Sequence, residues 1–338
     1  MGKGRGLARI STAFLKVAPA KDALSRRISP MVPTHAATQG VAIAQVTISG
    51  ETGSVRSKER EGAMQIGIHL PHVGYKAGPD SIRRAAEQAE QLGFEDVWVS
   101  EHIIVPKDAP YPPSAVFYDP VLTLTWAAAV TKRVRLGTSV LVLPMRHPVP
   151  LAKELATLQN LSGGRLILGA GTGWMEAEFD ALGAPFRERG KRMDEGIALM
   201  KAVWHDDPVS FQGRSIPTKI DTMRMLPPPS PPIPIWIGGV SEAALARSAR
   251  LDGWHGSSRS TPAEVAAIVA RLRRDRPEPS FTISMRVPLD TDQAAMRDTL
   301  AAYEVAGVQH MVVEPKERGL DNWLSAVEAF GQAQLRAA

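Results

Sequence analysis

The sequence predicts a single (β/α)8 barrel over residues 64–338. From Met64 onward, short apolar runs alternate eight times with patterns typical of amphipathic helices. These units occupy about 275 residues, close to the ~250 residues of an ordinary barrel. The strands are continuous apolar runs such as Leu166–Leu168, as expected when both faces of a sheet are covered. A doubly wound sheet usually contains fewer strands, so the barrel is favoured over it.

Each predicted strand is a short apolar run followed by turn or loop residues. In chain order the strands are predicted at Gln65–Leu70, Asp96–Val99, Arg135–Leu141, Arg165–Ala170, Ile235–Ile237, Gly253–His255, Thr282–Val287 and His310–Val313.

The predicted helices alternate with these strands. Asp80 is expected to cap the first helix, which carries its apolar residues on one face and stops at Gly93. The long loops 101–118 and 206–232 are interpreted as insertions. The remaining helices are predicted at Pro120–Thr131, Val149–Asn160, Arg187–Trp204, Ser241–Leu251, Pro262–Asp275, Asp292–Val305 and Asn322–Gln332.

Composition and charge exclude several classes of function. The chain has no cysteine, which excludes disulfides, iron–sulfur clusters, thiolate zinc sites and cysteine nucleophiles, and which fits a cytoplasmic protein. Residues 64–338 carry 30 Lys and Arg against 31 Asp and Glu, so the net charge of +5 comes from the N-terminal segment. A nucleic-acid partner is therefore not expected. No run approaches ~20 apolar residues, so no membrane partner is expected either.

Residues 1–63 differ from the rest of the chain. They carry ten Lys and Arg against four Asp and Glu, and their apolar residues show no sustained period. We interpret this segment as a disordered N-terminal extension, or as the result of a start codon assigned too early, since Met64 directly precedes the first strand. Residues 7–28 superficially suit a transit peptide as well.

The active site of a barrel lies at the carboxyl ends of its strands. Glu101 and His102 follow the second strand, where a carboxylate beside an imidazole suits acid–base chemistry or binding of a ring. The alternative is that this pair only orients the following loop. In the third strand, Gly137 and the small hydroxyl residues after it indicate either the close approach of a flat group or a barrel corner.

Two glycine-rich turns are candidates for ligand binding. Gly171, Thr172 and Gly173 end the fourth strand, but their spacing differs from the dinucleotide fingerprint. Gly238 and Gly239 precede a helix beginning at Ser241, where backbone N–H groups and the helix dipole favour an anion. A tight turn followed by a helix cap explains the second pattern equally well.

Other polar and aromatic residues carry weaker signals. His69 and His72 lack a third ligand at a sensible spacing, so no metal site is predicted, and His72 is assigned to loop or pocket roles. Salt bridges explain the arginines more simply than an acidic ligand does, and Trp126 and Trp204 are expected in the core. The basic residues concerned are Arg146, His147, Arg187, Arg189 and Arg192.

Residues 64–338 resemble the luciferase-like monooxygenase family, and within it the class that depends on the deazaflavin coenzyme F420. No single motif is decisive, but their order and spacing along the barrel are specific. The motifs are Ile66-Gly67-Ile68, Ser100-Glu101-His102, Leu136-Gly137-Thr138-Ser139-Val140, Pro148–Lys153, Leu161-Ser162-Gly163-Gly164-Arg165, Gly171-Thr172-Gly173-Trp174 and Ile237-Gly238-Gly239.

The resemblance implies a cofactor site at the mouth of the barrel. Glu101 and His102 would lie near the ring, with His102 as the group that donates or accepts a proton. The Ser139–Val140 bond would be a cis peptide behind the ring. Other cofactor contacts would come from Gly171, Thr172, Gly173, and from Gly238, Gly239 and Ser241 at the phosphate.

The resemblance also bears on the reaction. In the sugar-phosphate dehydrogenase branch an acidic residue follows Gly-Thr-Gly, whereas this chain has Trp174, which with His72 is assigned to the pocket of a less polar small-molecule substrate. The implied activity is hydride transfer between F420 and this substrate, in a homodimer. The alternatives are a reduced-FMN monooxygenase on the same barrel and a flavin-binding barrel without turnover.

Overall fold

Eight parallel strands close into a barrel. The computed structural model describes residues 64–335, and the extension predicted at residues 1–63 lies outside the described residues. The first strand, Gln65–His69, pairs with the last, His310–Glu314, and this pairing closes the ring. The predicted fold class is confirmed. Around the barrel the strands, numbered in chain order, are β1 (Gln65–His69), β2 (Asp96–Val99), β3 (Arg135–Thr138), β5 (Leu166–Gly171), β8 (Ile235–Gly238), β9 (Gly253–Ser257), β10 (Thr282–Pro288) and β11 (His310–Glu314).

Helices follow the strands and begin and end at residues whose chemistry explains the boundary. Thr261 and Glu264 form a reciprocal capping box at the start of α7. α1 begins at Pro79 without a side-chain cap, so Asp80 lies in its first turn instead of capping it. Gly93 ends α1 with a φ of 93°, a conformation that favours glycine. The helices are α1 (Pro79–Leu92), α2 (Pro120–Val130), α3 (Pro148–Ser162), α4 (Glu176–Ala181), α5 (Arg189–His205), α6 (Glu242–Ser248), α7 (Pro262–Asp275), α8 (Gln293–Val305) and α9 (Leu320–Gln334).

The third predicted strand is interrupted after Thr138. Its second part, β4 (Leu141–Val142), continues to pair with β5. The peptide bond between Ser139 and Val140 is cis, as the resemblance implies. Ser139 and Val140 therefore stand at the carboxyl end of β3, at the mouth of the barrel.

The predicted loop 206–232 contains an antiparallel hairpin, formed by β6 (Val209–Gln212) and β7 (Lys219–Met223). Val209 and Ile220 are buried in the main hydrophobic core, which holds the hairpin against the barrel. In each of these two strands, apolar and polar residues alternate over too few positions for the sequence to distinguish the strand from a loop.

The expectation that both tryptophans are core residues is wrong for one of them. Trp204 is buried, but Trp126 on α2 is 47% exposed. Trp126 donates its indole N–H to the carbonyl of Pro79, which fixes the ring on the outer surface. Across residues 64–335, no helix is both long and apolar enough to cross a membrane.

The interior of the barrel is filled at mid-height. Trp98 and Trp236 stack with their ring centroids 5.5 Å apart and pack with Ile167 and Val312. Gly137 makes room for this layer, because a Cβ there would lie 2.4 Å from the Trp98 ring. In barrels of this kind, ligands bind at the carboxyl ends of the strands.

Candidate functional site

Val140 is the point at which three of the predicted cofactor-binding segments meet. A Cβ on Gly171 would lie 2.5 Å from a methyl group of Val140, and a Cβ on Gly238 would lie 2.8 Å from the other. Glycine at both positions therefore lets the Val140 side chain sit between β5 and β8. Val140 itself is half-buried, so part of its surface faces the mouth.

His102 is held at the mouth by a carboxylate that the sequence did not single out. Its Nδ1 lies 3.0 Å from Oε2 of Glu178, which is 3% exposed. Oε1 of Glu178 accepts the backbone N–H groups of Ile103 and Ile104. The described residues give His102 Nε2 no hydrogen-bond partner, so this nitrogen is the one available to a ligand.

The pKa of Glu178 reflects these contacts. Burial alone would raise it, but the hydrogen bonds from His102 and the two backbone N–H groups outweigh burial and hold the pKa below the ordinary value. Glu178 is therefore a carboxylate at neutral pH and accepts a proton-bearing Nδ1 from His102. This arrangement fixes the orientation of the ring and presents Nε2 outward.

Aromatic rings surround His102 on the open side. Phe117 and Trp174 meet its ring edge-on, at centroid distances of 5.1 Å and 5.8 Å. Tyr111 lies 5.9 Å from Trp174, and Trp174 is 53% exposed. Together Tyr111, Phe117 and Trp174 form an aromatic wall that offers an apolar surface to a ligand beside a polarisable imidazole.

His72 is fully buried below this wall. Its Nδ1 lies 3.1 Å from the carbonyl oxygen of Leu70, and its Nε2 lies 2.9 Å from the carbonyl oxygen and 3.1 Å from the backbone nitrogen of Ser100. Burial lowers the pKa of His72, which favours the neutral ring. His72 reaches the aromatic wall only through Phe117, at a centroid distance of 6.1 Å.

Glu101 lies next to His102 in the chain but contacts different groups. Its carboxylate accepts the backbone N–H of Val142 at 2.6 Å and the side chain of Arg146 at 2.6–2.7 Å. Arg146 also bonds Asp119. Burial raises the pKa of Glu101, and Arg146 and the Val142 N–H offset part of this effect. Glu101 thus connects the ends of β2 and β4, and Arg146 has the salt-bridge role expected of it.

The turn after β8 has the geometry of a tight turn and a helix cap. Gly239 has a φ of 107°, which favours glycine, and its carbonyl accepts the indole N–H of Trp254. Ser241 caps α6 by accepting the N–H of Ala244, and Glu242 pairs with Arg271. Thr172 and Gly173 lie across the mouth after β5, where a Cβ on Gly173 would meet Val142 and Phe179.

The floor of the mouth contains Arg286, which the sequence analysis did not single out, and His69. Arg286 on β10 donates from one nitrogen to the carbonyl of Ser139 at 2.9 Å and to its hydroxyl oxygen at 3.3 Å. Its Nε lies 3.7 Å from Glu314. His69 is 6% exposed, and its Nε2 is buried without a hydrogen-bond partner. A signal existed: an arginine inside a predicted apolar strand is unusual unless it faces a polar interior.

These features fit a flat, polar-edged cofactor. The half-buried Val140 backed by two glycines leaves a smooth apolar surface, and the orphaned His69 nitrogen needs a polar partner. Arg286 provides a cation beside the same surface. Among residues 64–335, no group of three or more His, Asp or Glu is arranged to hold a metal ion.

Comparisons with known proteins agree with this architecture. A family model described as luciferase-like monooxygenase matches residues 64–334. An F420-dependent glucose-6-phosphate dehydrogenase of Nakamurella multipartita is 33% identical over 249 residues, covering 67% of this chain and 70% of that protein. An uncharacterized protein of Mycobacterium tuberculosis is 32% identical over 241 residues, covering 68% of this chain and 82% of its own.

Solved structures with the same fold include two oxidoreductases. A monooxygenase of Streptomyces bottropensis superposes with a TM-score of 0.66 at 23% identity, over 81% of this chain and 99% of the other. An F420-dependent secondary alcohol dehydrogenase, solved with an F420-acetone adduct, gives 0.63 at 19% identity, over 79% and 99%.

Proposed function

Because the chain belongs to the luciferase-like monooxygenase family, we propose that it is an F420-dependent oxidoreductase acting on a small, weakly polar organic molecule. Its relatives include F420-dependent dehydrogenases, which supports the deazaflavin over other cofactors. When bound, the deazaflavin would supply the carbon that carries the hydride. The protein would supply orientation, a closed apolar surface and a proton.

The pairing of His102 with Glu178 carries this proposal. Hydride transfer to a carbonyl or a polarised double bond leaves an anion that needs a proton. His102 presents Nε2 to the mouth, and Glu178 stabilises the charge that the ring carries between proton uptake and release. Glu101 has both carboxylate oxygens bonded to Arg146 and Val142, so in this proposal it holds the strand ends and His102 moves the proton.

We assign the cofactor contacts to the surface around Val140. Ser139 and Val140 would lie behind the ring, with Gly171, Thr172 and Gly173 on one side. The backbone N–H groups from Gly238 to Ser241 would hold the phosphate, where the start of α6 favours an anion.

The substrate class follows from the aromatic wall. Trp174 stands where the sugar-phosphate dehydrogenase branch has an acidic residue, and its ring lies 5.9 Å from that of Tyr111, which is nearly half exposed. An apolar ligand that covers this surface is stabilised by the burial of apolar area, whereas the surface offers no charge to a phosphate. We therefore propose a planar or branched apolar substrate with one polar reacting group. His72 would act indirectly, by supporting Phe117.

A reduced-FMN monooxygenase is the second candidate. It is favoured by one observation, the structural likeness to a monooxygenase of Streptomyces bottropensis. In that case the same mouth would hold FMN, and the apolar wall would serve to exclude water.

We also propose that the protein is a cytoplasmic homodimer. Leu122 and Trp126 lie four residues apart on α2 and are 71% and 47% exposed. A helix with exposed apolar residues at this spacing is typical of a surface covered by another chain. The absence of cysteine fits the reducing cytoplasm.

Cofactor binding tests the proposal. Purified full-length protein is titrated separately with F420 and with FMN, and binding is measured by quenching of cofactor fluorescence. We expect saturable quenching of F420 and at least tenfold weaker binding of FMN. Oxidation of bound, reduced F420 by an added enone or ketone in a single turnover would then show hydride transfer. Tighter binding of FMN, with oxygen consumption on reduction, would establish the second candidate instead.

A further inference from the structure

A continuous chain of hydrogen-bonded side chains runs through the barrel interior. It begins at the amino-terminal ends of β2 and β3 and ends at the mouth, beside Val140. Its distances all lie between 2.7 Å and 2.9 Å. In order, the chain connects Arg135, Asp96, His310, Ser284, His255 and Ser139.

The inner members of this chain are shielded from solvent. Asp96, Ser284 and His310 have no exposed surface, and His255 and Ser139 are 3% and 7% exposed. His255 stacks flat on Trp98, at a centroid distance of 5.1 Å and an interplanar angle of 7°. Each polar group therefore depends on its neighbours in the chain for hydrogen bonds, because water does not reach it.

Asp96 sets the direction of the hydrogen bonds. Its carboxylate accepts bonds from Arg135, from the indole N–H of Trp98 and from His310 Nε2. Burial alone would raise the pKa of Asp96, but His310 and Arg135 outweigh it and hold the pKa far below the ordinary value. As an anion, Asp96 can only accept, so Nε2 of His310 carries a hydrogen.

The rest of the direction is decided at the mouth end. Arg286 donates to the Ser139 hydroxyl oxygen at 3.3 Å, so the Ser139 hydrogen needs another acceptor, and His255 Nε2 is the one that the described residues place within reach, at 2.7 Å. The order of donors then follows back to His310, which carries its hydrogen on Nε2 alone. A neutral His310 with its hydrogen on Nε2 accepts from the Ser284 hydroxyl at Nδ1. The Ser284 oxygen then accepts from Nδ1 of His255, and His255 Nε2 accepts from the Ser139 hydroxyl.

We propose that His255, Ser284 and His310 are positioning residues that turn the Ser139 hydroxyl hydrogen into the barrel. The mouth then meets the Ser139 oxygen and the guanidinium of Arg286, and the Val140 surface is held in one position. A ligand that lies against Ser139 must therefore offer a hydrogen-bond donor or an apolar edge. The direction of these hydrogen bonds does not depend on the proposed function, whereas their effect on the cofactor does.

Two other roles for the same chain are less favoured. A serine bonded to a histidine is typical of a nucleophile with its base, and a row of imidazoles and hydroxyls is typical of a proton conductor. Both roles require His255 to take up a proton. Burial, followed by the charge of Arg286, lowers the pKa of His255 to about 3, which makes it a poor base at neutral pH.

Nitrogen NMR of the full-length protein without cofactor tests the direction. The ¹⁵N shifts of imidazole nitrogens show which nitrogen carries the hydrogen. At pH 7.5 we expect two neutral rings, with the hydrogen on Nδ1 in His255 and on Nε2 in His310. A hydrogen on Nε2 of His255, or a cationic His310, would overturn the inference, because Ser139 would then point its hydrogen to the mouth.

Two substitutions at His255 separate hydrogen bonding from packing. His255→Gln keeps an acceptor and a donor of similar reach but loses the stacked ring. His255→Phe keeps a ring on Trp98 but loses both hydrogen bonds. If the chain positions Ser139, His255→Gln should bind F420 within about threefold of the wild type, and His255→Phe should bind about tenfold more weakly, the usual effect of leaving a buried group unpaired.

The opposite ranking of the two variants, or equal affinity of His255→Phe and the wild type, would contradict the inference. If His255→Phe does not fold, Ser284→Ala breaks the chain with a smaller change and should weaken F420 binding in the same way. A wild-type protein that binds no F420 would contradict the proposed function instead, and the imidazole tautomers would then decide the inference alone.

Discussion

The imidazole of His102 and the carboxylate of Glu178 lie 3.0 Å apart, although 76 positions separate them in the sequence. His102 follows β2, and Glu178 lies in the first turn of α4, beyond β5. The carboxylate also binds the backbone after His102, so one side chain fixes both the loop and the ring. This geometry separates the group that moves a proton from the group that orients it.

Substitutions at this pair should affect catalysis more than binding. His102→Asn should keep most of the F420 affinity and slow the single-turnover rate by ~10²–10⁴, the usual range for one acid–base group. It should also remove a pH-dependent limb from the rate profile. Glu178→Gln should lower the rate by about 10- to 100-fold, the effect of losing one charge-assisted hydrogen bond, and leave KM nearly unchanged.

The same helix offers a matched control. Glu176 is exposed, so Glu176→Gln should leave the rate unchanged. Because His102 and Glu178 act together, the double variant should be little slower than His102→Asn alone. Additive losses, or a full-speed His102→Asn enzyme, would remove the pair from proton transfer.

The barrel could be predicted from the sequence because a short apolar run followed by an amphipathic helix pattern is recognisable in each of the eight strand–helix units. Seven of the eight strands lie within two residues of their predicted bounds, the third is interrupted after Thr138, and α7 matches at both ends. Trp126 could not be placed, because α2 is apolar on nearly every side and hydrophobicity does not indicate which side is covered. The β6–β7 hairpin was missed because its strands are too short to show a period.

The site was predictable only where its residues follow strands. His102 could be located in this way, whereas the cis bond between Ser139 and Val140 was implied by the family resemblance and lies inside the third predicted strand. Glu178 looks like a solvated helix residue in the sequence, and only the fold brings it to His102. Arg286 and His255 occur inside apolar strands, and their role depends on neighbours from three other strands that no local pattern identifies.

Any side chain in place of Gly238 should weaken cofactor binding. A Cβ there would lie 2.8 Å from Val140, whose short side chain cannot move away without disturbing the ring surface. Gly238→Ala should weaken F420 binding about tenfold, roughly 1.4 kcal/mol, with the fold retained. Gly238→Asp should weaken it further, because it adds a negative charge near the proposed phosphate site.

Fluorescence titration measures these affinities, and two variants control for general damage. Gly319→Ala places its Cβ in open space and should bind as the wild type does. Val140→Ala should relieve the clash, so that adding Gly238→Ala to it has little further effect. Full affinity in a folded Gly238→Asp variant would place the phosphate elsewhere.

Leu122→Glu should convert the proposed dimer to a monomer. The side chain is 71% exposed on α2 next to Trp126, so a charge there would be buried only if a second chain covers this face. Light scattering after size exclusion gives the mass. Val305→Glu, at a 90% exposed position on α8, is the matched control and should leave the mass unchanged. A Leu122→Glu protein that remains a dimer would show that α2 is not the interface.

The buried histidines should make the protein less stable as the pH falls from about 6.5 toward 5. Burial lowers the pKa of His69, His72 and His255, and that of His255 falls to about 3. Below pH 6.5 the unfolded chain binds protons at these positions that the folded chain does not bind. Proton binding therefore stabilises the unfolded state, and the free energy of unfolding falls by up to about 1.4 kcal/mol per pH unit for each histidine.

Urea unfolding of the wild type and of His255→Gln at pH 8, 7, 6 and 5 measures this effect. The free energy of unfolding should fall with decreasing pH in both, and it should fall less steeply in His255→Gln, which lacks one of the three histidines. Asp96 and Glu178, whose pKa values are lowered, lose their stabilising effect only at lower pH. Glu101, whose pKa is raised, acts in the opposite direction but equally in both proteins. Identical slopes would mean that His255 takes up a proton in the folded state, and the hydrogen-bond direction inferred for the barrel interior would then be wrong.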